Sequence, residues 1–108
     1  MQLKNSNPIA IDVAQIDQAA AEAAELLSVL ANANRLKVLC HLYKEEMPVG
    51  ELADAVGMSQ PALSQQLSKL RDLKLVATRR EGRTIYYRLA SPMVVGILAT
   101  LYELFCSD

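Results

Sequence analysis

Residues 51–89 read ELADAVGMSQPALSQQLSKLRDLKLVATRREGRTIYYRL, and this stretch decides the fold. Its first part predicts a short helix over about Val49–Val56, with Leu52, Ala53 and Val56 on one face. Gly57 follows where a left-handed residue commonly ends a helix. Ser59 then offers an N-cap, and Pro61 fits a first turn, where its missing N–H would have no partner in any case. Leu63, Leu67 and Leu70 make the apolar stripe of this second helix, leaving Gln60, Ser64, Gln65, Ser68 and Lys69 outside. From Leu75 the apolar period falls from about 3.6 to two. Leu75–Arg80 and Thr84–Leu89, rich in Val, Thr, Ile and Tyr, predict two strands joined through Glu81-Gly82-Arg83.

Working outward, Asp12 can cap a first helix running to about Leu30, with Ile16, Ala20, Ala23, Leu27 and Leu30 as a narrow apolar stripe. Asn32 or Asn34 can cap a second, roughly Ala33–Lys44, whose buried face would carry Leu36, Leu39, Cys40 and Tyr43. Pro48 is expected to end that unit and Gly50 to loosen the next turn. Ser91-Pro92 opens a last helix, Met93 to about Cys106, which is apolar nearly all round. A terminal helix of that kind in a small domain calls for a second subunit. A homodimer interface is therefore expected from Ile16, Ala20, Ala23 and Leu27 on the first helix and Val94, Leu98, Leu101 and Phe105 on the last. The expected fold is mainly α with a small β-hairpin between the fourth and fifth helices: a winged helix-turn-helix. Residues 1–11 are expected to be a flexible tail and 12–106 a single domain.

The composition agrees with one domain. The chain has 108 residues, 52% hydrophobic and 21% charged, ordinary globular usage that argues against intrinsic disorder. Its longest uncharged runs after the tail, Leu89–Tyr102 among them, are shorter than the ~18–20 apolar residues that cross a bilayer. MQLKNSNP has no apolar run like that of a secretion signal. Two cysteines far apart cannot build a disulfide scaffold or a four-ligand zinc site. The expectation is a cytoplasmic protein with no membrane partner and no cofactor.

Charge points to the partner. The net charge is −1, yet seven of the eleven basic residues lie between Lys69 and Arg88 against only Asp72 and Glu81. That segment is +5 and the remainder −6. A localised basic patch on a mildly acidic chain suits a polyanion site. A helix fits the major groove of DNA, where Ser59, Gln60, Ser64, Gln65, Ser68 and Lys69 could meet base edges and phosphates. Arg79, Arg80 and Arg83 of the hairpin could reach the backbone or minor groove and supply salt-dependent affinity. There is no Ser-His-Asp set, carboxylate pair or phosphate loop, and His41 is the chain's one histidine, so an enzyme is not expected.

About residues 26–106, and most specifically SQPALSQQLSKLRDLKLVATRREGRTIYYRL, resemble the arsenic-repressor (ArsR/SmtB) family of bacterial winged-helix repressors. The resemblance implies homodimers formed through the first and last helices, an imperfect inverted repeat as operator, and relief of repression by an inducer. The family's thiolate metal site is a Cys-Val-Cys-Asp-Leu run; the matching stretch here is Pro48-Val49-Gly50-Glu51-Leu52, without either cysteine. Its alternative site on the last helix needs Asp and His, and that region here offers only Glu103 and Asp108.

The remaining sensor candidates are Cys40 and Cys106. Free cysteines in a helical protein are ordinarily small hydrophobes. However, Val-Leu-Cys-His-Leu together with Leu-Tyr-Glu-Leu-Phe-Cys resembles the persulfide- and sulfide-responsive subgroup, which includes the biofilm growth-associated repressors. That resemblance implies that Cys40 and Cys106 are joined, as a disulfide or through extra sulfur atoms, when reactive sulfur species accumulate. A metal- or haem-responsive repressor, and a dimeric interaction module without a specific operator, remain as alternatives.

Overall fold

Among the described residues, four of the five helices begin at a side chain that takes up a free N–H of the first turn. The computed structural model describes residues 9–106. In it α1 (Val13–Leu30) starts behind Asp12, whose carboxylate accepts from the Ala14 N–H at 3.0 Å. Asn32 caps α2 (Ala33–Lys44) by accepting from Arg35, and Ser59 caps α4 (Gln60–Asp72) by accepting from Ala62. The hydroxyl of Ser91, a buried polar side chain, caps α5 (Pro92–Phe105) by accepting from Val94 at 3.2 Å. α3 (Val49–Val56) has only Pro48 before it and ends at Gly57, whose φ of 73° is the left-handed conformation expected there.

α4 ends differently. Lys74 takes the left-handed position with φ 63°, its N–H reaching the Arg71 carbonyl while the Leu75 N–H reaches that of Leu70. This is the double bond pattern that usually closes over a glycine. It turns the chain so that Leu75 and Val76 enter the core as strand β2 (Val76–Glu81) begins. β2 pairs antiparallel with β3 (Thr84–Leu89) across a tight turn in which Gly82 has φ 64°.

Three sequence expectations change here. A third strand, β1 (Met47–Pro48), pairs with β3 on its free side, giving the order β1-β3-β2. α2 and α3 keep the expected bounds, Ala33–Lys44 and Val49–Val56, but Pro48 belongs to β1 and does not close α2, and Gly50 lies within α3, not in a turn. The buried face of α2 is Val38, Leu39 and Leu42, with Leu36 partly covered; Cys40 and Tyr43 stand exposed. The reason is that α2 packs against α1, α3, β3 and α5 together, which moves its buried arc away from Cys40.

The third change concerns α5. Val94 and Leu98, expected at a subunit interface, are 0% and 3% exposed because they fill the chain's own core beside α2. Met93, Val95, Tyr102 and Phe105 are its exposed apolar side chains. On α1, Ile16, Ala20, Ala23 and Leu27 are exposed as well, and Leu30 alone is fully buried. The core joins Leu30 to Val38, Leu39, Leu42, Leu52, Leu63, Leu67, Leu70, Leu75, Val76, Val94 and Leu98. Among the described residues no helix is long and apolar enough to cross a membrane. The expected tail, residues 1–11, lies mostly outside the described residues.

Candidate functional site

α3, the Gly57 turn and α4 form a helix-turn-helix in which one face of α4 is anchored and the other free. Leu63, Leu67 and Leu70 are wholly buried, and this fixes the helix's rotation. Gln60, Ser64, Gln65, Ser68 and Lys69 are exposed on the remaining surface. Ser59 is exposed too, but its hydroxyl is engaged as the cap of α4. α3 and α4 approach closely where a Cβ on Gly50 would stand 3.4 Å from the Gln60 amide nitrogen. Gln66, which sequence reasoning left unassigned, turns inward, with its side-chain oxygen buried and without a hydrogen-bond partner among the described residues.

The wing separates its arginines. Arg80 and Arg83 are exposed near the tip of the hairpin. Arg79 instead donates through Nε to Glu46 at 2.6 Å and through a terminal nitrogen to Glu81 at 2.7 Å. Its guanidinium also lies over the ring of Tyr86, 4.4 Å from the centroid. The hydrogen bond and charge of Arg79, aided by Arg88, hold the Glu46 carboxyl below its ordinary range. Arg79 was expected to contact DNA; its charge is already matched within the wing. Glu46 escaped sequence reasoning because its partner lies 33 residues away on another strand. No local spacing reveals such a pair.

The two cysteines, far apart in sequence, lie on two helices that pack against each other. Cys40 lies on α2, and Cys106 ends α5, where its N–H bonds to the Tyr102 carbonyl at 2.8 Å. Both are free and exposed. Burial of the thiol itself, and then the nearby Cys106, push the Cys40 pKa up. Cys40 also lines a mostly apolar cleft of about 410 Å³ between α2 and α5, with Tyr43, Lys44, Leu98, Ala99 and Tyr102. A raised pKa keeps Cys40 a thiol at neutral pH, and its reactivity rises as the medium becomes more alkaline. Among the described residues no group of three His, Cys, Asp or Glu side chains is placed to hold a metal ion.

Residues 32–78 match the family model described as "Bacterial regulatory protein, arsR family". The nodulation protein NolR of Rhizobium meliloti is 54% identical over 80% of this chain and 70% of its own length. The transcriptional activator HlyU of Vibrio cholerae is 40% identical over 89% of each protein, and the structure titled reduced HlyU superposes with a TM-score of 0.79 over 86% of this chain and 98% of its own. The crystal structure of the transcriptional repressor BigR from Xylella fastidiosa gives a TM-score of 0.83 at 38% identity, covering 91% of this chain and all of BigR's.

Proposed function

The chain belongs to the arsR family of bacterial regulatory proteins, a family of DNA-binding transcriptional regulators and not of enzymes, and from that premise we propose that it is a dimeric repressor whose grip on its operator is released when Cys40 and Cys106 are joined. Two copies meet through the exposed apolar residues Ile16, Ala20, Ala23 and Leu27 of α1 and Phe105 of α5, with the half-buried Leu101 beside it. Residues 12–106 act as one unit, with 1–11 as a tail, in the cytoplasm. α4 of each copy enters the major groove of one half of an inverted repeat. Gln60, Ser64 and Gln65 read base edges, Ser59, Ser68 and Lys69 hold phosphates, and Arg80 and Arg83 of the wing bind the backbone.

What supports the switch is the placement of Cys40 on α2 and Cys106 at the end of α5, two helices packed against each other, with Cys106 near enough to act on the Cys40 proton. The inducer is a reactive sulfur species such as an organic persulfide. One cysteine thiolate takes the outer sulfur from the persulfide, releasing the donor's thiol and leaving a cysteine persulfide. The second thiol then displaces hydrogen sulfide to close a disulfide; where the second cysteine has first taken a sulfur from another persulfide donor, its outer sulfur displaces hydrogen sulfide instead and closes a bridge of three sulfur atoms. A direct bond needs Cα atoms about 4.4–6.8 Å apart, and a sulfur chain spans a wider gap.

Joining α2 to the dimer helix changes the spacing of two α4 helices that must meet grooves about 34 Å apart. Coupling of about 1–3 kcal/mol lowers operator affinity roughly 5–150-fold. The test selects an operator from randomised duplexes, then measures intact mass and binding before and after an organic persulfide donor. The mass should rise by one or more sulfur atoms or fall by two hydrogens as binding is lost, and a thiol reductant should restore both. Unchanged binding by fully crosslinked protein overturns the switch. Release by stoichiometric zinc, cadmium or arsenite would instead favour a metal inducer.

A further inference from the structure

The sheet order makes Tyr86 the centre of a row that crosses all three strands. Pro48 of β1 pairs with Tyr86 on one side, and Arg79 of β2 pairs with it on the other. Directly paired residues share a face of the sheet, so the guanidinium of Arg79 can lie flat over the ring. Beyond the ring it meets Glu46, the residue just before β1. Glu81, two positions further along β2 and so on the same face, closes on it from the other end. Arg80 points to the opposite face of β2, and Arg83 lies in the turn. Among the described residues neither forms an ion pair, whereas Arg79 forms two. Of the three arginines on β2 and in the turn after it, one is thus already neutralised and two are free for phosphate.

We infer that Glu46 and Glu81 withhold Arg79 from DNA, and that Glu46 is a positioning residue which limits the wing's sequence-independent affinity. To reach a phosphate, Arg79 would have to leave two carboxylates and an aromatic face held beside it by the same chain. That exchange gains one anion and gives up two. The wing therefore binds through fewer charges than its sequence contains, and the difference matters most on random DNA, where phosphate contacts supply essentially all the affinity.

The test measures binding of the full chain to a random-sequence duplex over a salt series, where each phosphate contact adds about 0.9 to the slope of log affinity against log salt. Arg79→Ala and Arg79→Gln, the second of which keeps most of the side chain over Tyr86, should leave the slope and affinity close to wild type. Glu46→Gln with Glu81→Gln should steepen the slope by about 0.9 as the released arginine finds a phosphate. Adding Arg79→Gln to that pair should return the slope to its starting value. Glu45→Gln together with Glu51→Gln, which removes the same two charges from carboxylates that do not pair with Arg79, should not steepen it. Amide exchange across β2 and β3 checks that each variant keeps its wing.

Flattening of the wild-type slope by about 0.9 in both Arg79 variants would overturn the inference, as would an unchanged slope in the variant that joins Glu46→Gln to Glu81→Gln. The inference rests on the wing meeting DNA. Arg80→Ala and Arg83→Ala test that premise separately: each should flatten the slope, and if neither does, the wing's role is what fails.

Discussion

Along α4 the exposed side chains are mostly polar, with serine, glutamine, lysine and arginine among them; along α1 and α5 they include isoleucine, leucine, methionine and phenylalanine. Both regions present one face to a shared core and one outward, yet the outward faces are of opposite kinds. The α3–α4 unit completes its apolar packing within one chain, because Leu52, Leu63, Leu67 and Leu70 are wholly buried. α1 buries only Leu30 fully, and α5 leaves Phe105 66% exposed. A polar outer face suits a partner rich in phosphate and base edges. An apolar one suits another apolar face. On the proposed reading the chain divides recognition from assembly, and substitutions should separate the two.

The largest effect should come from the shared core. Leu67→Ala removes a fully buried side chain of α4 and should cost about 2–5 kcal/mol in denaturant unfolding, depending on how far the cavity collapses. A cost below about 0.5 kcal/mol, the range of surface substitutions, would mean that α4 is not anchored as described.

Next comes assembly. Leu27→Asp with Phe105→Asp should yield monomers in sedimentation without loss of helix signal, since both side chains are already exposed in the single chain. Operator affinity should fall roughly 100-fold or more, because linking two half-site contacts raises avidity by about 10²–10⁴. A variant that stays dimeric would place the interface elsewhere.

Smaller still is recognition. Gln60→Ala, Ser64→Ala and Gln65→Ala should each leave folding and dimerisation intact and cost about 1–3 kcal/mol of operator binding where the side chain meets a base. Normal binding by all three would move the reading face away from this side of α4.

The smallest effect is a pH dependence in the wing. Arg79 lowers the pKa of Glu46 in the folded state. The stability this pair contributes is therefore present above the ordinary carboxylate value and is lost as pH falls through the lowered folded value. Glu46→Gln should remove that part of the acid dependence in a pH series of unfolding midpoints. Curves of identical shape for variant and wild type would show that the ion pair does not hold in solution.

Sequence reading reached some of these features and not others, for physical reasons. α2, α3 and α4 begin and end where capping residues, Gly57 and the leucine spacing put them, since those signals are local. β1 was not legible, because two residues including a proline have no period, and their pairing with Tyr86 and Tyr87 is set at long range. Val94 and Leu98 were assigned to the interface because an all-apolar helix does not reveal which side its own chain will cover. Arg79 looked like its neighbours Arg80 and Arg83 for a similar reason: a carboxylate 33 residues away in sequence changes what a charge can do without leaving a mark beside it. The thiols show the reverse. Cys40 and Cys106 were paired through resemblance, while the side of α2 that carries Cys40 was read wrongly as buried.

The most direct test of the account measures operator release by Cys40→Ser and Cys106→Ser beside wild type, with intact mass followed in the same samples. Serine keeps the size of the thiol but cannot capture or bridge sulfur. Both variants should bind operator like the reduced wild type and stay bound after the persulfide donor, while wild type dissociates with both cysteines protected from alkylation. Full release by either single-cysteine variant would contradict the account, because modification of one thiol would then be enough and the link between α2 and α5 would not be the trigger.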